Sequence, residues 1–174
     1  MEASQTLPAR VLGSLRSAGW VSIAVLLLGV TGGLLLIVAE LLPTITIEVL
    51  TTGTCQEIAD PQVRDACQLD GLEQHAGAFI LLGALALVMA VGAAQGASRP
   101  AAAALLVVAV AVVLVLVLRD LPQADETGLV GIRYEQAEAG LDTGFYLALV
   151  GAALCAAAGA LRLARPEPDT AAER

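Results

Sequence analysis

Four apolar runs divide the chain: 20–42, 76–94, 101–118 and 144–163. Each is about 18 to 23 residues long, enough to cross a roughly 30 Å hydrocarbon core at 1.5 Å per residue. Polar segments separate them: a lead 1–19, a loop 43–75, a link 95–100, a second loop 119–143 and a tail 164–174. The pattern predicts an all-α membrane protein, an antiparallel four-helix transmembrane bundle forming a single four-span domain over 1–174. The short link makes spans two and three antiparallel neighbours. The first run exceeds the 7 to 15 residues typical of a signal-peptide core, so it reads as an uncleaved anchor.

Inside the first loop the period changes. Across 44–51, Ile45, Ile47 and Val49 alternate with Thr44, Thr46 and Glu48. Alternation of β-branched and polar residues predicts a strand. Asp60 followed by Pro61 reads as a helix N-cap with Pro at the first helical position. That short helix would run towards the second span. A second short strand is expected at 129–134. The loops together should form a small cap on one side of the membrane.

Composition agrees with the pattern. The chain is 57% hydrophobic and 15% charged, with a mean hydropathy of +0.80; soluble domains carry about a quarter charged residues. The net charge is −8, there is no Lys, and the nine Arg are scattered. No basic patch exists, so a nucleic-acid partner is not expected. Arg usage with abundant Ala, Leu, Val and Gly points to a GC-rich, bacterial genome. Arg10, Arg16, Arg99, Arg162, Arg165 and Arg174 lie on one side of the predicted topology, and Arg64, Arg119 and Arg133 on the other. The positive-inside rule then places both termini in the cytoplasm, in a multi-pass protein of the plasma (inner) membrane. The outer loops hold 12 of the 17 acids.

Cys55 and Cys67 fall in the first outer loop, a compartment that permits disulfides. A bridge between them closes about 13 residues and would stabilise the loop by roughly 3 kcal/mol in the chain-entropy model. A redox pair is the sharper alternative, but such pairs need close spacing for the resolving thiol, and eleven residues intervene here. Small residues recur at every fourth position: Gly29 and Gly33, Gly92 and Gly96, and Gly151, Cys155 and Gly159. They let helix backbones approach closely, within the bundle or against a partner. Glu40 lies three residues before Pro43 and is expected to stay hydrated at the interface. His75 is the sole histidine and reads as a solvated loop residue. Glu40 therefore does not mark a proton or cation path, and His75, even with Glu73 and Asp70 nearby, does not predict a metal site. No phosphate-binding loop, zinc-protease or hydrolase signature is present, so no catalytic residue, cofactor or metal is assigned. Spans two and three carry no charged side chain, whereas coupled transporters need polar groups or broken helices near the midplane.

The plan of a strand after the first span, a cysteine pair, a short inner link and a smaller second loop resembles the claudin-like four-span architecture. The resemblance is one of layout: the Gly-Leu-Trp motif ahead of the cysteines is missing, and the only Trp is Trp20. It implies that the two strands pair above the helices. The functional expectation is a non-enzymatic accessory or scaffold protein in the lipid bilayer. Its outer cap or helix faces would bind another membrane protein or a second copy of itself. The alternatives are a thiol-redox protein using Cys55 and Cys67, or a subunit of an oligomeric channel or transporter.

Overall fold

In the computed structural model of the chain the described residues are 19–49, 61, 67–95, 99–124, 127, 130, 132 and 137–164. Helix α1 (Trp20–Glu40) leads into strand β1 (Pro43–Val49). Strand β2 (Gln68–Asp70) is followed by a short helix α2 (Gly71–His75) and the apolar helix α3 (Ala78–Ala94). Helix α4 (Arg99–Val115) continues through a π-helical turn, Leu116–Asp120, and a last helical turn, Leu121–Gln123. Strand β3 (Ala137–Leu141) precedes helix α5 (Thr143–Leu163).

Three of these helical segments are long and apolar enough to cross a membrane: Trp20–Glu40, Arg99–Gln123 and Thr143–Leu163. They mark a membrane protein. Ala78–Ala94 is equally apolar but shorter, at 17 residues. The expected second span starts two residues late because Ala76 and Gly77 adopt left-handed backbone angles, φ 53° and 85°. They break the helix between His75 and Ala78. The expected third span is extended instead: Arg119 and Asp120, read from the sequence as loop, complete the π turn.

Helix packing combines close backbone approach at small residues with the fully buried side chains of Leu36, Phe79, Leu105 and Leu116. Among lipid tails a Leu gains little by turning inward, so close van der Waals contact between small residues holds helices together. A β-carbon at Gly33 would lie 2.9 Å from the Gly83 carbonyl oxygen, joining α1 to α3. One at Gly151 would lie 3.0 Å from the Gly32 carbonyl, joining α5 to α1, and one at Gly159 would lie 2.7 Å from the Ala102 carbonyl, joining α5 to α4. Gly29 faces Ala90, Gly92 faces Ala101 and buried Cys155 lies against Gly32; Gly96 lies outside the described residues. Gly32 and Gly83 were not marked by sequence spacing, yet both sit at closest approaches. Larger apolar residues such as Leu27, Leu81, Val88 and Val107 point outward.

The three strands form one antiparallel sheet, in the order β2–β1–β3. Ile45 and Ile47 are buried and Glu48 is exposed, as the alternation predicts. The register of β1 against β2 slips between Pro43 and Ile45. That irregularity lets Thr44 turn inward as well, fully buried. The partner on the other edge differs from expectation. β1 pairs with Ala137–Leu141, whereas Val130 and Ile132, from the predicted strand 129–134, are helical; the rest of that stretch lies outside the described residues. Intrinsic β-propensity favoured the wrong segment, since strand formation is decided by the available partner edge. Of the short helix expected from Pro61, Pro61 itself is helical and residues 62–66 lie outside the described set.

Candidate functional site

Two expectations about polar residues fail, and they fail at the same place. Glu40 was expected in water and is 0% exposed; His75 was expected in solvent and is 5% exposed. Both sit where the sheet meets the helix ends, together with buried Asp120, Gln74 and Thr44.

Glu40 is the last residue of α1. Its carboxylate bends over the start of α3 and accepts from the backbone N–H of Gly77 at 2.7 Å and of Phe79 at 3.3 Å. The first N–H groups of a helix have no internal partner, and the helix dipole favours an anion there. The left-handed pair Ala76 and Gly77 is what turns these groups towards Glu40. Gly71 completes the approach: a β-carbon there would stand 2.8 Å from the Glu40 carbonyl oxygen. Only glycine lets β2 and α2 pass this close to the end of α1.

His75 ends α2 and lies between two carboxylates. Its Nε2 is 2.9 Å from Asp120 Oδ1, and its Nδ1 is 3.6 Å from Glu40 Oε2. Its ring stacks on Phe79, with centroids 4.3 Å apart. Asp120 comes from the π turn, in which Leu116 and Asp120 face inward while Val117, Leu118 and Arg119 face outward. Gln74 joins the layers: its Nε2 donates to Asp120 Oδ1 at 2.9 Å and to Gln123 Oε1 at 2.7 Å. The Thr44 hydroxyl stands 3.3 Å from Gln74 Oε1 and 3.2 Å from the Leu69 carbonyl. Five segments, α1, β1, α2, α3 and the end of α4, thus meet in one polar cluster.

Burying two carboxylates costs several kcal/mol per ion unless hydrogen bonds and opposite charge compensate. The Glu40 oxygens and Asp120 Oδ1 are compensated. Asp120 Oδ2 and His75 Nδ1 are buried without a hydrogen-bond partner. No group of three or more His, Cys, Asp or Glu with metal-holding geometry occurs among the described residues. Spacing could not have revealed the cluster, because His75 and Asp120 stand 45 positions apart. The available signal was a lone acid at the end of an apolar run.

A second polar join ties the sheet to α5. The Asp142 carboxylate accepts from the Thr143 N–H at 2.5 Å, capping α5, and from the Thr46 hydroxyl of β1. Partial burial pushes its pKa up, but the hydrogen bonds from Thr46 and Thr143 outweigh this and leave it lowered. On the exposed face above, Glu48 and Glu138 stand directly opposite each other on β1 and β3. With Thr46, Gly140 and Asp142 they line an open acidic concavity of about 280 Å³.

Of the predicted cysteine pair, Cys67 is buried just before β2, and its carbonyl accepts from the Ile47 N–H at 2.9 Å. Cys55 lies outside the described residues. No protein-family model, curated protein or solved structure matches the chain.

Proposed function

We propose that the chain is a non-enzymatic accessory or scaffold protein of the plasma (inner) membrane of a bacterium, which presents a rigid outer cap to another membrane protein. The observation that carries this reading is the separation of polar and apolar work along the helices. Along their length the helices meet through close glycine and alanine contacts and buried apolar side chains. The polar side chains gather at one end, where they lock a sheet onto the helix termini. A rigid platform serves recognition better than transport, which needs a polar path or broken helices at the midplane.

In this reading α3 is a fourth span, so that α1, α3, α4 and α5 make an antiparallel bundle with both termini cytoplasmic. The pairing of Gly33 with Gly83 and of Gly29 with Ala90, along the length of α1 and α3, supports it. The cap then lies outside the cytoplasm, where Cys55 and Cys67 form a structural disulfide. The burial of Cys67 supports this, and Cys155 is the free cysteine among the described residues. Mass-shift labelling of the denatured, unreduced protein should modify Cys155 alone. Labelling of all three cysteines would remove the disulfide from the account.

One observation favours a second reading, a subunit of an oligomeric channel or transporter: ionisable groups buried in membrane helices commonly serve ion or proton movement, and Glu40 and Asp120 are buried near the ends of two such helices, with His75 between them. Flux assays on proteoliposomes of the purified protein separate the two. The scaffold reading predicts no proton or cation flux above protein-free vesicles. Flux that Asp120→Asn abolishes would establish the second reading.

A further inference from the structure

We propose that the groove between the start of α3 and the π turn of α4 binds an anionic glycerophospholipid from the leaflet on the cap side. The groove has a volume of about 290 Å³ and is lined by His75, Ala78, Leu114, Val115, Leu118 and Arg119. Its walls are largely apolar. Leu114 and Leu118 are 51% and 72% exposed and stand on the outer surface of the helices, where acyl chains run. At the cap end of the groove sits the exposed guanidinium of Arg119. It has no ion-pair partner among the described residues. The adjacent carboxylate, Asp120, is fully buried and turned to Gln74 and His75.

The groove is level with Glu40 and Asp120, at the helix ends. Lipid phosphates lie just outside the roughly 30 Å hydrocarbon core, which is where the ends of helices long enough to span it would fall. A guanidinium fork matches a phosphate in a bidentate fashion. Charge complementarity selects the class of lipid. A zwitterionic headgroup already pairs its phosphate with its own ammonium, whereas an anionic one leaves the phosphate uncompensated. The π turn supports the assignment. Such turns occur frequently at functional sites, and this one exposes Leu118 and Arg119 while Leu116 and Asp120 stay packed inside.

The test is native mass spectrometry of the full chain released from nanodiscs of equimolar phosphatidylglycerol and phosphatidylcholine. The wild type should retain phosphatidylglycerol in preference by roughly tenfold, the scale of one charge-assisted hydrogen bond. Arg119→Gln should bring the ratio close to one, and Arg119→Lys should keep part of the preference. Ala78→Phe, which fills the groove and leaves the charge in place, should reduce phosphatidylglycerol retention. Unchanged thermal midpoints would show that these variants fold. A wild type with no preference, or a preference that survives Arg119→Gln, would overturn the proposal. So would displacement of the lipid by millimolar soluble glycerol phosphate, since the acyl groove would then contribute nothing.

Discussion

His75 Nε2 lies 2.9 Å from Asp120 Oδ1, which joins the end of the short helix before α3 to the last turns of α4. Both side chains are essentially without solvent contact. Removing one partner leaves the other buried with one polar contact fewer, Asp120 with Gln74 and His75 beside Glu40. His75→Leu and Asp120→Leu should therefore each destabilise the protein by about 1–3 kcal/mol, the scale of a buried polar group that loses a hydrogen-bond partner. The double variant should cost clearly less than the sum, because both members of the contact are then gone. Denaturant unfolding in detergent, run as a double-mutant cycle, measures this; strict additivity would show that the two residues do not act as a pair.

Glu40 holds the first N–H groups of α3. Glu40→Leu leaves these donors buried and unpaired, at about 1–3 kcal/mol for an unsatisfied group. Glu40→Gln keeps an acceptor and should be milder. Amide hydrogen exchange should show faster exchange at Gly77 and Phe79 in Glu40→Leu, while exchange near Gly29 stays unchanged.

Gly83→Ala brings a β-carbon to 2.6 Å from the Gly33 carbonyl oxygen. Backbone cannot yield cheaply at both helices, so a loss of about 1–3 kcal/mol is expected, as for other overpacked sites. Gly140→Ala meets nothing nearer than 4.0 Å and should change stability little. Thermal midpoints of the two variants compare them directly.

Asp142 gives the pH dependence. Its folded-state pKa is lowered from 3.8, so the unfolded chain takes up the proton first as pH falls. The stabilisation is complete above the ordinary value and is lost as pH drops through the lowered one. Asp142→Asn should flatten that part of the acid response below about pH 4, while still capping α5. An identical acid profile in the variant would show that the Thr46 and Thr143 contacts do not favour the ionised form.

These features differ in how legible they are in the sequence. Apolar length revealed the spanning helices because the bilayer sets it. Alternation revealed β1 because Ile45 and Ile47 share one face. The true partner strand, Ala137–Leu141, is poor in β-formers and became a strand only because the edge of β1 was available to it. The burial of Glu40 and His75 was invisible for a different reason. A residue next to a span can face water or a neighbouring element, and the choice here depended on Gly71, Ala76 and Gly77, whose roles appear only when the helix ends meet.

The proposed role of the cap as a docking face for another membrane protein is open to a direct test. A photo-crosslinking residue placed at Glu48, on the exposed acidic face of the sheet, and in a control at outward-facing Val107 on α4, tests it in intact cells. The account predicts a discrete protein adduct from position 48, weakened by Glu138→Arg and not formed from position 107. No protein adduct from position 48, or the same adduct from both positions, would contradict it.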